Sequence, residues 1–555
     1  MASRLATSAG PAIQALRVTF ADAPLRRLVF AWFAVNTGKW AFLVTNLVVA
    51  YDRGGAAWVA ALSVARYLTP GLIAPLAGLP TARWRPEAVL RATNATRTVA
   101  VLAAAAVIAT GGAIELLTLV VAIEAGVGAF TRPVHMGLCP AVSRTPAQLI
   151  GANVTSSGAE ALGTFVGPAA AGVLLVALGP AAVMLAVAVV YAVGVLSIAT
   201  LTVPAVGQRR TRSSVADVIG DLTAGFRAAS SLPGPRLVIV SLTLQCLVRG
   251  LLTVLVVLAA IELLGMGEPG VGTLNAAMGL GGLVGAVLAI SLAGRARMGP
   301  AFAVALAGWG APIAVMGIFP SVVVAILAMA AVGAANAVLD VSGFTLAQRT
   351  APNAARVSLL GLIDGAANLG PAIGAAIAPI LAEALGTRGA LMVTGLILPI
   401  AAIAIWPIVR RLDEGGPAAI RRVELLRQQP LFGPLSLATV EYLAGSMVPV
   451  RYQPGEALIE EGARGDDYFL LDEGEVDVEQ GGSVIGRYGP GVGFGEIALL
   501  NDVPRTATVR AASQVAAFSL GRDPFLEAVT GHAQSRQAAE ATATDHLADD
   551  ARRAG

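Results

Sequence analysis

The sequence predicts a multi-domain chain: an all-α membrane bundle of twelve spans in a six-plus-six pseudo-repeat, followed by a small β-roll or jelly-roll domain with flanking helices. Hydrophobic residues make up 56% of the 555 positions and charged residues only 13%, whereas soluble domains carry about 25% charged residues. Long apolar runs continue to about residue 412, and acidic and basic residues become dense after it. Most of the chain is therefore expected to lie in a lipid bilayer.

About twelve apolar stretches are long enough to cross the hydrocarbon as helices, which takes about 20 residues each. They begin near Val29, Trp58, Val89, Leu116, Leu149, Ala181, Leu237, Val271, Ala301, Val322, Leu359 and Ala390. Loops after even-numbered stretches carry arginines such as Arg83, Arg144 and Arg209, whereas loops after odd-numbered stretches are nearly bare. Basic loops remain in the cytoplasm, so both termini and the C-terminal domain are expected on that side.

The change in composition also sets the predicted domain boundaries. We expect a cytoplasmic N-terminal segment (1–24), a membrane domain (25–412) with a central cytoplasmic loop at about 204–236, a linker (413–424), a second domain (425–545) and a tail (546–555). The N-terminal segment lacks the cleavage pattern of a signal peptide, so the first span should act as the targeting signal. A composition rich in alanine, glycine and arginine, with a single lysine, favours a bacterial chain in the plasma (inner) membrane.

Two pairs of related segments predict the internal repeat. The segment SSGAEALG at 156–163 aligns with IDGAANLG at 363–370, and GAFTRPVHMGLCPAVSRT from Gly128 aligns with GAANAVLDVSGFTLAQRT from Gly333. Parallel repeats of this kind are typical of secondary transporters. The alternative is chance matching in a background rich in glycine and alanine.

Several ionisable residues fall inside the predicted spans, where a charge is costly and faces a cavity or a partner. Lys39, the only lysine, lies in the middle of the first span. The other candidates for substrate binding or proton coupling are Glu124, Arg132, His135, Glu160, Arg249, Asp340 and Asp364, and Arg91 and Arg97 are also intramembrane. The alternative for Arg91, Arg132 and Asp340 is a position near the cytoplasmic ends, snorkelling or pairing between helices.

Twelve spans, a basic central loop and two related halves resemble the major facilitator superfamily over residues 25–412. The segments ANVTSSGAEALGTFVGPAAAG and DLTAGFRAASSLPGPR are similar to its drug- and siderophore-exporter branch. The signature loop of the superfamily is reduced here to GLPTARWRP, which lacks the usual acidic residue. The resemblance implies a secondary transporter that exports a small amphipathic or anionic molecule, with a proton or another ion as a candidate coupling partner. Similar exporters tend to have an acidic residue near the position of Lys39, so a lysine that faces an anion is the alternative to proton coupling there.

After Arg422 the sequence changes to short apolar and polar alternations separated by glycine turns, which is typical of a small β-roll. The candidate strands are EALIEE, DYFLL, EVDVEQ, SVIGRY, TATVRA and VAAFSL. Leu437, Val440, Leu443 and Met447 have helical spacing before these strands, and a second helix is expected from Pro524.

The segment GFGEIALLNDVPRTATV, from Gly493 to Val509, has the features of a phosphate cradle. Glycines allow close approach of a ligand, the start of a helical turn at EIALL favours an anion, and the planar fork of Arg505 suits a phosphate. The segment resembles the phosphate-binding cassette of cyclic-nucleotide-binding domains, as do Gly455, Gly462 and Gly474 in the flanking strands.

That resemblance implies a role for each cassette residue. Glu496 would accept a hydrogen bond from the ribose 2′-hydroxyl, Arg505 would pair with the cyclic phosphate, and Gly495, Ile497 and Ala498 would offer backbone contacts. Thr506 stands at a position whose hydroxyl favours cGMP in some relatives, so cAMP is the expected ligand and cGMP the alternative. The last helix of the family caps the adenine, but QSRQAAEATATDHLADD offers no clear cap.

Together these patterns predict a secondary transporter regulated by cyclic nucleotide, and the alternative is a membrane-anchored sensor that no longer transports. The expected partners are the lipid bilayer, a cyclic nucleotide, an unidentified small-molecule substrate and a proton or other ion. Three histidines, His135, His532 and His546, form no catalytic or metal pattern, and no ATP-binding loop is present. No enzyme activity, cofactor, metal site or nucleic-acid partner is therefore expected.

Overall fold

The computed structural model describes residues 17–73, 84–143, 145–201, 233–292, 298–350, 356–414, 416–435 and 437–530. It divides into two compact units: the first comprises Met1–Ala347 and Ala355–Val409, and the second Gln348–Ala354 and Arg410–Gly555. Nearly all of the predicted central loop, most of the N-terminal segment and the whole tail lie outside the described residues. The domain boundaries given by the sequence stay a prediction.

The described part of the first unit is helical throughout, as the apolar sequence predicts. Its helices are α1 (Ala23–Ile73), α2 (Pro86–Ala109), α3 (Ile114–Gly128), α4 (Thr131–Val142), α5 (Pro146–Ser197), α6 (Pro233–Leu258, continued by a π-turn at Ala259–Leu263), α7 (Gly267–Leu292), α8 (Gly299–Ile318), α9 (Val322–Thr350) and α10 (Arg356–Glu414). Nine helical stretches within the described residues are long and apolar enough to cross a membrane.

Three of these helices are interrupted by glycines. Gly55 in α1, Gly179 in α5 and Gly386 in α10 have positive φ angles of 62°, 76° and 69°, a backbone conformation that glycine adopts without strain. An uninterrupted helix of 51 residues would extend about 76 Å, more than twice the thickness of the hydrocarbon. Each long helix therefore comprises two segments, which agrees with span starts predicted near Trp58, Ala181 and Ala390. The total of twelve spans stays a prediction.

Small residues allow the helices of the bundle to approach closely. A methyl group added to Gly163 of α5 would lie 2.9 Å from the backbone of Thr37 in α1. One added to Gly272 of α7 would lie 2.6 Å from the Cα atom of Gly172 in α5. Backbone contact of this kind is the usual means of packing helices in lipid, where hydrophobic burial between helices is weak.

The second unit combines two four-stranded antiparallel sheets with helices. Its helices are α11 (Gly416–Gln428), α12 (Leu437–Ser446), α13 (Glu496–Asn501) and α14 (Arg522–Thr530). Its strands are β1 (Val448–Tyr452), β2 (Ala457–Ile459), β3 (Asp467–Glu473), β4 (Val476–Gln480), β5 (Ser483–Tyr488), β6 (Gly493–Phe494), β7 (Thr508–Ala511) and β8 (Val515–Gly521). The sheet orders are β1-β8-β3-β6 and β2-β7-β4-β5.

All six predicted strands and both predicted helices of this unit are present, and the sequence missed β1 and β6. Pro449 lowers the strand propensity of β1 and is tolerated because β1 lies at a sheet edge. Strand β6 is only 2 residues long, too short for an alternating pattern. Helix α11 occupies much of the segment predicted as a linker, 413–424.

Two apolar cores hold the second unit together. One lies between the sheets and includes Phe469, Phe494 and Val509. The other joins the helices to β3 and β8 around Phe432, Tyr468 and Phe525, whose side chains are each 0% exposed. Full burial of such a side chain stabilises the fold by about 1.5–3 kcal/mol. The second core therefore ties α11, α12 and α14 to the sheet that carries β6.

Candidate functional site

The segment from β6 to β7 forms a loop around a short helix, as the glycines predict. Gly495 connects β6 to α13 with φ 96° and ψ 1°, in the left-handed region. A Cβ atom at this position would lie 2.6 Å from Nη1 of Arg505. Position 495 therefore requires glycine for two reasons: the left-handed backbone conformation, and the space that the guanidinium occupies where a Cβ atom would be.

The Arg505 side chain is buried, with 7% of its surface exposed. Nη1 donates to the carbonyl of Gly495 at 2.9 Å, and Nη2 donates to the carbonyl of Asp467 at 2.6 Å. Burial lowers the pKa of Arg505 from its ordinary value, partly opposed by the nearby charges of Asp467, Glu496 and Asp466. An arginine stays protonated in proteins, and its guanidinium has five N–H groups. Two hydrogen bonds thus fix the position of the guanidinium, and its remaining N–H groups are available to a ligand.

Glu496 is the first residue of α13 and is 1% exposed. Its carboxyl group lies within electrostatic reach of Arg505 and of Tyr468. Burial, with a smaller contribution from Glu496, holds the pKa of the Tyr468 hydroxyl well above its ordinary value. A buried carboxyl group and a buried guanidinium cation therefore lie within electrostatic reach of each other, and a ligand with a hydrogen-bond donor and an anionic group can contact both.

Arg505 and Glu496 line one pocket, together with residues of β2, β4, β5, β6, α13 and β7. All six cassette residues singled out in the sequence line it: Gly495, Glu496, Ile497, Ala498, Arg505 and Thr506. The carbonyl of Thr506 accepts a hydrogen bond from the Gln480 side chain at 3.2 Å. The arrangement offers a cation, a carboxylate and short stretches of backbone to one ligand.

The pocket also has an apolar wall that the sequence analysis did not identify. It consists of Ile459, Val478, Tyr488, Phe494, Ala507 and Val509. Except for Phe494, which lies on β6, these residues lie on strands predicted from the sequence, so inward-facing positions were the available signal. The rings of Tyr488 and Phe494 lie 6.4 Å apart. The segment in which an adenine cap was sought, 534–550, lies outside the described residues.

In the first unit, two of the ionisable residues singled out form a buried network with a tyrosine. Arg97 of α2 donates to Oε1 of Glu124 on α3 through Nε at 2.8 Å and through Nη2 at 2.5 Å. The Tyr191 hydroxyl on α5 donates to the same carboxylate oxygen at 2.9 Å. The guanidinium of Arg97 lies 4.7 Å from the centre of the Tyr191 ring. Sequence analysis missed Tyr191, since a tyrosine in an apolar span carries no motif.

A second network joins helices of the other half of the bundle. Nη2 of Arg249 donates to Oδ1 of Asn336 at 2.6 Å, and Nδ2 of Asn336 donates to Asp340 at 2.9 Å. Trp309 donates to the same Asn336 oxygen at 3.0 Å. The amide thus bridges two predicted ionisable residues. Neither Asn336 nor Trp309 was identified from the sequence.

The remaining candidates lie apart from these hydrogen-bonded networks. His135 is buried, contacts Ser156 at 3.1 Å and stacks on Trp32 at 4.3 Å between ring centres. Lys39 and Glu160 are half-buried, and Arg132 is exposed.

Arg91 donates to the carbonyl of Ala199 at 2.7 Å, and the side chain of Asp364 lies outside the described residues. Among the side chains that the structure describes, no group of three His, Cys, Asp or Glu residues is placed to hold a metal ion.

Two family models match the chain in the regions just described. The model described as "Major Facilitator Superfamily" matches residues 239–458, and the model described as "Cyclic nucleotide-binding domain" matches residues 449–532. The crystal structure of the nucleoside transporter NupG is similar in fold, with a TM-score of 0.58 at 14% identity over 70% of this chain and 98% of that chain. At this identity the similarity shows the fold alone.

Two curated relatives match a short region of the chain. The cAMP-dependent protein kinase regulatory subunit of Colletotrichum orbiculare is 36% identical over 104 residues, which is 18% of this chain and 27% of that protein. The corresponding subunit of Mycosarcoma maydis is 43% identical over 93 residues, which is 16% of this chain and 18% of that protein. The chain thus spans about a quarter or less of the length of these relatives.

Proposed function

We propose that this chain, in which a major facilitator superfamily domain is joined to a C-terminal cyclic-nucleotide-binding domain, is a secondary transporter of a small molecule whose alternating access is biased by cyclic-nucleotide binding. The observation that carries the proposal is the pocket in which Arg505 and Glu496 lie beside apolar strand residues. A cyclic nucleotide has an anionic phosphate, a hydroxylated ribose and a flat base. The pocket has a matching group for each.

Arg505 binds the cyclic phosphate in this proposal. The carbonyls of Gly495 and Asp467 hold the guanidinium, so little side-chain freedom is lost when the ligand arrives. Its planar fork donates parallel hydrogen bonds to phosphate oxygens, and charge-assisted bonds of this kind are about twice as strong as neutral ones. The first N–H groups of α13, at Ile497 and Ala498, have no partner within the helix and add donors to the same group.

Glu496 accepts a hydrogen bond from the ribose 2′-hydroxyl in this proposal. The base lies against the apolar wall near Tyr488 and Phe494. The names of the curated relatives support cAMP as the ligand. Thr506 lines the same pocket, and its hydroxyl can accept a hydrogen bond from a base that has a donor there. The alternative ligand is therefore cGMP, which is the second nucleotide to test.

Occupancy of the pocket has a physical route to the helix that follows the last membrane helix in sequence. Asp467, whose carbonyl holds Arg505, precedes Tyr468, and the Tyr468 ring packs on Phe432 and Phe525 at 5.6 and 5.2 Å between centres. Gln429, just after α11, donates to the carbonyl of Gly491 at 2.8 Å. Movement of the cassette therefore acts on α11, and a coupling of about 1–3 kcal/mol is typical of such regulation.

The transport part of the proposal is supported by the buried and half-buried charges of the bundle. Arg97 and Glu124 lie in one half, and Arg249 and Asp340 lie in the other. Charges at membrane depth are typical of substrate and ion pathways. We further propose efflux across a bacterial plasma membrane, with a proton or another ion as the coupling partner and both termini in the cytoplasm.

The alternative is a membrane-anchored sensor without transport. The reduced loop GLPTARWRP and a lysine at position 39 favour it, since similar exporters have an acidic residue near Lys39. The two candidates agree on nucleotide binding and differ only in flux.

The test is flux through the full-length protein in proteoliposomes loaded with a panel of radiolabelled small molecules, with and without cAMP. We expect cAMP to change the release of at least one compound by about 5-fold or more. Arg505→Ala should abolish the change, and Arg487→Ala, which removes an arginine 58% exposed on β5, should not. Release at the same rate with and without cAMP would contradict regulation by the nucleotide. Nucleotide binding without any release would favour the sensor.

A further inference from the structure

A groove between the start of α1 and the end of α5 combines two arginines with apolar side chains. Its lining includes Phe20, Arg26, Arg27, Phe30, Leu196 and Thr200. Phe20, Phe30 and Leu196 are 44%, 48% and 71% exposed, and both arginines are exposed as well. Positive charge beside open apolar surface is typical of a site for an amphipathic anion.

Both arginines of the groove are held by neutral oxygen atoms. Nη1 of Arg26 donates to the carbonyl of Phe20 at 2.9 Å, and Nη1 of Arg27 donates to the hydroxyl of Thr200 at 2.6 Å. Each guanidinium has five N–H groups, so donors remain for another acceptor. These contacts fix the two cations at the groove without neutralising their charge.

Positive charge exceeds negative charge around the groove. Arg91 of α2 donates to the carbonyl of Ala199, next to Thr200 in sequence, at 2.7 Å. The nearby carboxylate of Asp22 accepts a hydrogen bond from the N–H of Leu25 at 3.1 Å and caps the start of α1. The segments that adjoin the groove in sequence, 1–16 and 202–232, carry Arg4, Arg209, Arg210, Arg212 and Arg227 against Asp217 and Asp221. An anion from outside the chain therefore complements the groove.

The groove lies at the depth of the lipid headgroups. Asp52 and Arg53 mark the far end of the first span, just before the break at Gly55. At 1.5 Å per residue, Phe30 is about 33 Å from Asp52 and Arg27 is about 38 Å from it. The hydrocarbon layer is about 30 Å thick, and the headgroups add about 5–8 Å on each side. Phe30 therefore lies at the edge of the hydrocarbon, and Arg27 lies at the level of the lipid phosphates.

Exposed apolar side chains continue from the groove along α5. Leu185, Val189, Val193 and Leu196 are 52%, 61%, 40% and 71% exposed. Because they are three or four positions apart, they share one face of the helix. The groove thus has cations at the level of the headgroups and an apolar path that leads from them into the hydrocarbon.

We propose that this groove binds an anionic phospholipid of the cytoplasmic leaflet, with its phosphate on Arg26 and Arg27 and an acyl chain along Phe30 and Leu196. The planar fork of a guanidinium donates parallel hydrogen bonds to phosphate oxygens, and basic pockets between the cytoplasmic ends of membrane helices suit anionic headgroups. The bound lipid bridges α1 and the end of α5. The inference rests on the orientation proposed above and does not depend on transport.

The test is native mass spectrometry of the full-length protein in a neutral detergent, during titration with phosphatidylglycerol or phosphatidylcholine. Both lipids have a phosphate, but only phosphatidylglycerol has a net negative charge, so its first molecule should bind more tightly. Arg26→Gln and Arg27→Gln should each weaken that binding by about 5-fold, which corresponds to about 1 kcal/mol. Arg85→Gln, at an arginine outside the groove whose side chain is 65% exposed, should bind as the wild type does.

A second pair of variants tests the apolar part of the site. Leu196→Ser removes apolar surface from the groove and should weaken binding of the first phosphatidylglycerol by about 3-fold or more. Leu327→Ser, at a leucine of α9 that is 64% exposed, is the matched control and should have no effect. Glycerol 3-phosphate, which has the anionic group without the acyl chains, should not bind at the same concentrations.

The outcomes decide between a lipid site and other sources of the same charge. Weaker binding in both arginine variants and in Leu196→Ser, with both controls unchanged, supports the inference. Equal affinity in the double variant Arg26→Gln/Arg27→Gln, or an equal loss in Arg85→Gln, would overturn it, because the attraction would then come from the overall charge. Undiminished affinity in Leu196→Ser, or glycerol 3-phosphate that binds as tightly as the lipid, would overturn it in favour of a soluble anion.

Discussion

The chain holds buried arginines in two different ways. In the second unit Arg505 is fixed by the neutral carbonyls of Gly495 and Asp467 and keeps N–H donors for a ligand. In the first unit Arg97 is neutralised by Glu124. A cation held by carbonyls is prepared for an anion that arrives later, whereas a cation paired with a carboxylate mainly holds helices together. The type of partner thus distinguishes a binding arginine from a structural one. The predictions that follow test whether the partner of a buried charge decides its role.

The largest expected effect is the loss of the intramembrane pair. Glu124→Gln leaves Arg97 buried without its counter-charge, and removing one partner of such a pair destabilises a protein by about 3–5 kcal/mol. The free energy of unfolding in mixed micelles measures this loss. Glu383→Gln, at an exposed position in α10, should stay within about 0.5 kcal/mol of the wild type. A loss below about 1 kcal/mol for Glu124→Gln would refute a structural role for the pair.

A smaller loss of stability is expected at Gly495, whose carbonyl accepts a hydrogen bond from Arg505. Gly495→Ala forces a side chain into the left-handed region, at a cost of about 1–3 kcal/mol, and displaces the guanidinium. Gly482→Ala is the matched control, because its φ of 81° is similar but a Cβ atom there meets nothing within 4 Å.

Both alanine variants should lower the unfolding temperature of the second unit. Only Gly495→Ala should also weaken cAMP binding, by about 10-fold or more, which corresponds to about 1.4 kcal/mol. Equal affinity in the two variants would show that the position of the guanidinium does not matter for binding.

The smallest effect is expected at the Tyr468 hydroxyl. It is buried and has no hydrogen-bond partner among the described residues, while its ring packs on Phe432 and Phe525. Tyr468→Phe keeps the ring, so stability should change by no more than about 0.5 kcal/mol and cAMP affinity by less than about 2-fold. A large loss on calorimetric titration would mean that the hydroxyl, and not the ring, links the pocket to the core.

The same contrast explains how far the sequence could predict the sites. All six predicted residues of the pocket line one cavity, because Gly493–Val509 is a continuous segment whose local geometry follows from its glycines and its short helix. The bundle sites are different. Arg97 and Tyr191 are 94 positions apart, and Arg249 and Asn336 are 87 apart. No local pattern indicates such pairs, so Tyr191 and Asn336 were missed.

The fold was predictable where patterns were long. Apolar runs gave the helices of the bundle, and the glycine breaks occur near the predicted span starts at Trp58, Ala181 and Ala390. Alternation gave six strands of the second unit. It missed β1, where Pro449 interrupts the pattern, and β6, which has 2 residues. Helix α11 was placed in a linker because its pattern is short and lies next to a change in composition.

The central claim is that Arg505 and its pocket bind a cyclic nucleotide, and a calorimetric titration of cAMP into the full-length protein in nanodiscs tests it most directly. The wild type should bind with a dissociation constant in the micromolar range, about −8 kcal/mol. Arg505→Ala should weaken binding by at least about 100-fold, or about 2.7 kcal/mol, and Arg487→Ala should bind as the wild type does. Equal affinity in Arg505→Ala, or no heat from either cAMP or cGMP with the wild type, would contradict the claim.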